Sequence, residues 1–239
     1  MNTSGNKYLI VNADDFGQSA GINRGIITAH EQGIVTSTSL MVRWPDAKAA
    51  AGYARMHPAF SVGLHLDLGE WICTEGEWQP LYEVVDTANE IALRNEVANQ
   101  LTVFRSLVGK NPTHIDSHQH THLTEPARSI VAGIANELGC PLRSCARDIT
   151  YVGSFYGQTA EGLTLPELIS VDGLIKIMRE LPEGVCELGC HPGFAKLVHT
   201  MYRDERAQEV QVLCDARIKS VIAEFGIELI SFAEIPVVA

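Results

Sequence analysis

Short apolar runs alternate with amphipathic segments from one end of the chain to the other. A short apolar run flanked by turn residues predicts a buried strand, and apolar residues at helical spacing predict an amphipathic helix. The predicted strands are residues 8–11, 34–42, 60–66, 185–189 and 227–232, with one more ending in the histidine-rich run from His114. The predicted helices are residues 19–32, 45–56, 88–108, 126–138, 166–181 and 204–225. Ser19 is expected to cap the first helix, which Gly33 ends, and Gly139 is expected to end the helix over 126–138.

Strands that alternate with helices in this way predict an α/β fold built on a parallel sheet. About seven β-α units can be counted, close to the eight of a closed barrel. The expectation is therefore a (β/α) barrel of the TIM type, complete or irregular with seven strands, in preference to an open doubly wound sheet. The chain has 239 residues and no linker-like segment, so we expect a single domain over residues 1–239.

The charge balance narrows the classes of ligand. The chain has 18 Lys and Arg against 29 Asp and Glu, a formal net charge of -11. Nucleic acids and anionic membrane surfaces bind basic patches, so neither is an expected partner. The polar start of the chain and the lack of a long apolar stretch predict a cytoplasmic protein without membrane insertion. Six cysteines without a C-x-x-C pair predict reduced, mostly buried thiols.

A nine-residue run from His114 to His122 carries four histidines and Asp116 at alternate positions. If the run is extended, all five side chains point the same way. A strand face with this many polar side chains does not fit an apolar core, because each buried imidazole or carboxylate would need a hydrogen-bonding partner. Imidazole together with carboxylate is the ligand set of a catalytic divalent metal.

Polar clusters follow four of the predicted strands. They are residues 12–15 (Asn-Ala-Asp-Asp), His65 with Asp67, residues 116–122, and residues 190–193 (Cys-His-Pro-Gly). The carboxyl ends of parallel strands meet at one edge of a sheet, where α/β enzymes have their active sites. A lone histidine is more often structural than a ligand, so it is the coincidence of the four clusters that predicts a site.

Two carboxylates as close as Asp14 and Asp15 repel each other in a buried site unless a cation relieves the conflict. With Asp15 bound to a metal, Asp14 is left as a base beside a water that the metal makes more acidic. His65 and His118 complete one carboxylate and two imidazoles, three ligands that leave positions open for water and substrate. The alternative is a turn in which Asp14 caps the following helix.

Five motifs occur in order along the chain: residues 10–17 (Ile-Val-Asn-Ala-Asp-Asp-Phe-Gly), 35–38 (Val-Thr-Ser-Thr), 63–66 (Gly-Leu-His-Leu), 114–118 (His-Ile-Asp-Ser-His) and 190–192 (Cys-His-Pro). In this order they resemble the YdjC-like family of carbohydrate deacetylases, which includes chitooligosaccharide deacetylases and proteins associated with hopanoid synthesis. The resemblance spans nearly the whole chain. It implies a metal-dependent hydrolase on a barrel-like α/β fold.

Carried over residue by residue, the resemblance implies Asp14 as general base, with Asp15, His65 and His118 as metal ligands. It also makes His191 a candidate general acid. His120 or His122 could equally protonate the leaving amine, and the turn that contains His191 also has a purely structural interpretation. Gln119 stands where chitooligosaccharide members have another histidine, which leaves the proposed ligands intact but weakens any inference about the particular sugar.

The implied reaction is removal of the N-acetyl group from a sugar containing N-acetylglucosamine, with release of acetate. One divalent ion is expected, with zinc favoured by the two imidazoles and magnesium permitted. The alternatives are a metal-dependent phosphoesterase or other amidohydrolase, and a non-catalytic sugar-binding regulator. A second ion held by Asp116, His120 and His122 would favour the phosphoesterase. A small carbohydrate is the expected partner, and a homodimer is left open.

Overall fold

The computed structural model describes residues 5–194 and 200–236. The strands are β1 (Lys7–Phe16), β2 (Ser37–Leu40), β3 (Ser61–Leu66), β4 (Gly69–Thr74), β5 (Glu77–Glu83), β6 (Ile115–Ser117), β7 (Ile149–Val152), β8 (Gly184–Cys190) and β9 (Ile227–Leu229). The helices are α1 (Ala20–Glu31), α2 (Ala47–Met56), α3 (Glu90–Val108), α4 (Ala127–Leu138), α5 (Val171–Glu180), α6 (Glu205–Leu213) and α7 (Ala216–Glu224). Short 3-10 turns span His118–Leu123 and Phe232–Glu234.

Seven strands form one sheet in the order β6-β3-β2-β1-β8-β7, with β9 also paired to β1. Every pairing within it is parallel. Leu142 continues the sheet by bridging Ile115 of β6, and no ladder between β6 and β7 is found in the described ranges. The predicted α/β class and parallel sheet are therefore confirmed, as a curved half-barrel. Closure of a seven-stranded barrel is not confirmed.

The two faces of this sheet differ in polarity. Leu9, Val11 and Ala13 of β1 belong to the large apolar core shared with the surrounding helices. A small apolar cluster that includes Ile10 and Phe232 lies at the base of the concave face. Above that cluster the concave face is polar, and its side chains are buried: Asn12, Asp14, Ser39, His65, Asp116 and Glu187. The candidate chemistry therefore lies inside the half-barrel, towards the carboxyl ends of its strands.

Several local predictions hold. Ser19 caps α1 by accepting a hydrogen bond from the Ile22 amide, and Gly139 ends α4 in the left-handed conformation. The last residue of α1 is Glu31 and its C-cap is Gln32, so Gly33 follows the cap instead of forming it. The single helix predicted over 204–225 is two helices, because the side chain of Asp215 caps a new first turn after α6.

Two predictions were wrong about extended structure. The histidine-rich run is extended only as far as Ser117, since Gln119 and His120 both adopt left-handed backbone angles and begin a 3-10 turn. The segment between Leu68 and Leu81, for which no strand was predicted, forms the antiparallel hairpin β4–β5. Its turn residues Glu75 and Gly76 both have positive φ, as a tight hairpin turn requires.

All six cysteines are free, but only Cys186 and Cys190 are fully buried, so the expectation of mostly buried thiols was wrong. No helix among the residues that the structure describes has both the length and the apolarity needed to cross a bilayer.

Candidate metal centre and active site

A bulge in β1 directs both of its aspartates into the half-barrel. Ala13 pairs with Thr38 and Phe16 with Leu40, so β1 has one more residue than β2 over this stretch. Asp15 adopts φ 68°, a left-handed conformation that aspartate tolerates better than most residues. Adjacent residues of a regular strand point to opposite faces, whereas here both carboxylates are buried in one polar cluster.

Asp15, His65 and His118 meet at this bulge. His65 Nε2 lies 3.2 Å from Asp15 Oδ1, and His118 Nδ1 lies 3.1 Å from the same oxygen. One donor atom from each of the three residues falls within 4.8 Å of the other two, and all three side chains are buried. The second oxygen of Asp15 accepts a hydrogen bond from Arg206, at 2.6 Å. The structure therefore brings together the three residues that the sequence proposed as metal ligands.

Charges within the cluster shift the pKa of each of these groups. Burial raises the pKa of Asp15, but Arg206 and His118 outweigh burial and hold it well below the ordinary value. Burial lowers the pKa of His118, yet Asp15 and Glu70 raise it to about 9. Asp116 likewise raises the pKa of His65 against the effect of burial. The pocket thus favours positive charge, from protons or from a cation.

The donor set fits a divalent metal. His65 Nε2 is buried and has no hydrogen-bond partner in the part of the chain described, although it faces the Asp15 carboxylate. Its other ring nitrogen, Nδ1, lies 2.7 Å from Asp116, which orients the ring. One carboxylate with two imidazoles is the donor set of an open catalytic site rather than of a closed structural one.

Replacing His65 with alanine removes one of these three donors. We expect the metal dissociation constant to rise more than about 100-fold, beyond the loss that follows removal of an outer-shell partner. Competition with a chromophoric chelator measures this value. His57→Ala, in a half-buried histidine that stacks on Tyr53 away from the cluster, is the matched control. Unchanged affinity in His65→Ala would remove that residue from the ligand set.

Asp14 is held by a guanidinium rather than capping a helix. Arg143 Nη1 and Nη2 donate to its two oxygens at 2.6 and 2.8 Å, and Asn12 donates at 2.9 Å. Burial raises the pKa of Asp14, but Arg143 outweighs burial and lowers it below the ordinary value. Asp14 is therefore ionised at neutral pH and can accept a proton. The alternative of a capping role is wrong, since Ser19 caps α1.

Arg143 is a residue of the site that no sequence motif pointed to. It is 3% exposed and also pairs with Asp116 at 2.8 Å and with Glu187 at 2.7 Å. Burial raises the pKa of Glu187 to about 7 in spite of this pairing. One guanidinium thus contacts three buried acidic side chains on the concave face.

His191 follows β8 directly and reaches the same pocket. Its Nε2 lies 3.7 Å from Asp14 Oδ2. Burial lowers the pKa of His191 to about 4, so the resting imidazole is neutral at pH 7. The rings of Tyr156 and Tyr202, stacked on each other, both lie edge-on to this imidazole. A Cβ on Gly25 of α1 would lie 2.4 Å from the Cα of Gly193, which is why this turn can pack so closely.

Glu209 lies beneath the same turn and accepts hydrogen bonds from the His191 amide and the Tyr202 hydroxyl. Burial raises its pKa to about 8. Between the ordinary pKa of a glutamate and about 8, the folded state therefore holds a proton that the unfolded chain has released. The contribution of Glu209 to stability is present at low pH and is lost as the pH rises through this window.

Glu209→Gln is expected to remove that pH dependence. Within the window, the unfolding free energy of the variant should fall less steeply with pH than that of the unsubstituted protein. The difference in slope should be about 1.4 kcal/mol per pH unit. Urea unfolding at a series of pH values measures the difference. Glu224→Gln, in an exposed residue of α7, is the control and should leave the profile unchanged. Parallel profiles for Glu209→Gln and the unsubstituted protein would contradict the assignment.

The remaining candidates serve other purposes. His114 is a buried structural histidine that stacks on Phe232, with the ring centroids 3.7 Å apart. His122 contacts the Ser117 hydroxyl through Nδ1, at 2.6 Å, and a backbone carbonyl through Nε2. Asp116 is engaged by His65 and Arg143. Within the described residues, no group of metal-ligating atoms combines Asp116 with His120 and His122, the proposed second ion site.

His120 lines the pocket but turns towards Tyr151, whose hydroxyl lies 3.4 Å from its Nε2. Burial lowers the pKa of His120 to about 4. Asp67 does not join the cluster, since it accepts hydrogen bonds from Trp44 and Tyr82 and so ties the hairpin to the barrel.

Comparison with known proteins places the chain in a family. The profile of the YdjC-like protein family matches residues 8–224. A chitooligosaccharide deacetylase from Serratia marcescens is 33% identical over 96% of this chain and 99% of that protein. A carbohydrate deacetylase from Geobacillus stearothermophilus is 33% identical over 95% of this chain and 98% of that protein.

Solved structures agree with the fold. A candidate cellobiose-phosphate cleavage protein from Enterococcus faecalis V583 matches with a TM-score of 0.75 and 27% identity, covering 95% of this chain and 98% of that one. A family 4 carbohydrate esterase from Streptomyces lividans, in complex with acetate, matches with a TM-score of 0.57 and 13% identity over 99% of both chains. At that identity the likeness concerns the fold alone. The resemblance drawn from the motifs is confirmed: the chain belongs to the YdjC-like protein family.

Proposed function

We propose that this member of the YdjC-like family is a metal-dependent hydrolase that removes the N-acetyl group from an amino sugar and releases acetate. The observation that carries the proposal is the arrangement at the β1 bulge. There an ionised Asp14 lies beside the cluster of Asp15, His65 and His118 in one buried, polar pocket. The names of the Serratia and Geobacillus relatives supply the substrate class.

Asp15, His65 and His118 would hold the cation. The cation would polarise the acetamide carbonyl and stabilise the oxyanion that forms as water attacks. Asp14, fixed by its two hydrogen bonds from Arg143, would take a proton from the attacking water. The two imidazoles favour zinc as the ion, while magnesium would need more oxygen ligands.

His191 would deliver a proton to the departing nitrogen, because an amide anion is too basic to leave unprotonated. The resting imidazole is neutral, since burial lowers its pKa to about 4. It must therefore gain the proton during the reaction. Asp14 lies 3.7 Å away and holds the proton taken from water, so transfer between these two residues would complete the cycle. The products are acetate and the free amine.

Acetate release tests the proposal. Metal-free protein is incubated with mono-, di- and trisaccharides of N-acetylglucosamine, before and after addition of one equivalent of Zn²⁺ or Mg²⁺. We expect acetate and an equal amount of free amine only after metal is added. Metal binding without acetate release from any sugar would contradict a deacetylase that acts on these substrates.

Two alternatives make different predictions. A phosphoesterase with two ions would bind two equivalents of metal and hydrolyse p-nitrophenyl phosphate. We expect one equivalent and no phosphate release, because Arg143 and Ser117 engage Asp116 and His122. A sugar-binding regulator would bind the same sugars without releasing acetate. A cytoplasmic location and a homodimer stay predictions.

A further inference from the structure

Each imidazole of the proposed metal site lies between two carboxylates. His65 faces Asp15 through Nε2, at 3.2 Å, and faces Asp116 through Nδ1, at 2.7 Å. His118 has the same arrangement with its nitrogens exchanged. Its Nδ1 lies 3.1 Å from Asp15, and its Nε2 lies 3.5 Å from Oε2 of Glu70. The two contacts differ in length: Asp116, from the large sheet, is hydrogen-bonded to His65, whereas His118 Nε2 approaches Glu70 of the hairpin but is buried without a hydrogen-bond partner in the described residues.

Glu70 lies in β4, the first strand of the hairpin, and is 2% exposed. Its carboxylate is not part of the group of donor atoms that lie within 4.8 Å of one another. It lies instead at the opposite edge of the His118 ring from Asp15. A buried carboxylate needs a charged or hydrogen-bonding partner, and in the described residues the ion-pair partner of Glu70 is His118.

The residues that follow these two are also paired. Gln119, next to His118, accepts a hydrogen bond from the Trp71 amide at 2.9 Å and donates one to the Trp71 carbonyl at 2.8 Å. Its side chain thus pairs with Trp71 as the backbone of a neighbouring strand would. The backbone of Gln119 adopts φ 51°, an uncommon conformation for a residue with a side chain. Two adjacent hairpin residues, Glu70 and Trp71, therefore contact two adjacent residues of the 3-10 turn, His118 and Gln119.

We propose that Glu70 is a positioning residue of the metal centre. It holds the proton of His118 on Nε2 and leaves Nδ1 free to bind the cation, while the pairing of Gln119 with Trp71 keeps Glu70 in place. This inference rests on the metal site proposed above. A carboxylate that accepts the second N–H of a ligating imidazole fixes its tautomer and orientation and makes it a better ligand. The hairpin is then part of the metal centre rather than an appendage of the barrel.

The first test measures Zn²⁺ affinity by competition with a chromophoric chelator. Glu70→Gln is expected to raise the dissociation constant about 10- to 100-fold with unchanged stoichiometry. Glu77→Gln alters an exposed glutamate of β5 in the same hairpin and is expected to match the unsubstituted protein. Equal affinities in all three proteins would overturn the proposal. Failure of the unsubstituted protein to bind Zn²⁺ would overturn the proposed function as well, so the two failures are distinct.

The second test separates positioning from general structural support. Long-range ¹H–¹⁵N correlation spectra of the zinc-loaded protein report which nitrogen of His118 carries the proton. A proton on Nε2 with zinc on Nδ1 is expected. Zinc on Nε2 would overturn the proposal, because Glu70 would then lie on the metal side of the ring.

The third test concerns the role of Gln119. Gln119→Ala is expected to weaken Zn²⁺ binding, and to add little in a protein that already carries Glu70→Gln, because the pairing with Trp71 acts through Glu70. Fully additive losses would show that Gln119 acts independently and would overturn that part of the proposal.

Discussion

Replacing Asp14 with asparagine is expected to lower kcat for acetate release about 10²- to 10⁴-fold, the range that a general base contributes. The amide keeps the shape of the carboxylate but cannot accept a proton from water. Arg143 retains its pairs with Asp116 and Glu187, so the fold should persist. Two measurements distinguish a general base from a metal ligand: the rate of acetate release at saturating metal and the Zn²⁺ stoichiometry.

Unchanged metal stoichiometry together with a lost kcat is the result that assigns Asp14 as the base. Asp148→Asn, in an exposed aspartate near β7, is the control and should release acetate at the normal rate. If Asp14→Asn kept full activity, another group would have to accept the proton. If it lost its metal instead, Asp14 would be a ligand and the roles of Asp14 and Asp15 would need revision.

Arg143→Met is expected to have the largest effect on stability. The substitution leaves Asp14, Asp116 and Glu187 buried without their shared counter-charge. Removing one partner of a buried ion pair costs about 3–5 kcal/mol, which is a large fraction of the stability of a typical domain. Urea unfolding of the metal-free protein measures this loss without a contribution from bound ions.

Two further variants make the result interpretable. Arg143→Lys keeps the charge but not the planar fork that donates to both Asp14 oxygens, so an intermediate loss is expected. Arg147→Met changes an exposed arginine four residues away and should alter the unfolding free energy by no more than about 0.5 kcal/mol. Equal stability of Arg143→Met and Arg147→Met would show that the three acids are neutralised by protonation instead.

The sequence was sufficient to predict which strands carry the chemistry. Apolar runs mark β1, β3 and β8, and polar residues follow each of them. Because carboxyl ends of parallel strands meet at one edge, Asp15, His65 and His118 could be expected to approach one another without any knowledge of loop structure. The structure does bring them together, whereas their roles as ligands stay predictions.

The sequence did not reveal how the charges are neutralised or how the aspartates are aimed. Arg143 and Arg206 do not belong to any motif in the sequence. The buried carboxylates indicate that positively charged partners are needed, but not which residues supply them. The left-handed angle of Asp15 leaves no trace in a pattern of apolar and polar residues. The hairpin has one sequence signal, the Glu-Gly turn at 75–76, but Pro80 in its second strand argues against a strand prediction.

The pairing of β1 has a consequence for biosynthesis. One edge of this strand is shared by β2 and β9, and the other is covered by β8, so partners both near and distant along the chain enclose it. On the ribosome β1 is made before its partners, and neither of its edges is fully paired until β8 and β9 have followed. Such distant pairing delays folding and leaves strand edges open to aggregation. The bulge that holds Asp14 and Asp15 therefore acquires its final surroundings only after β8 and β9 have been made.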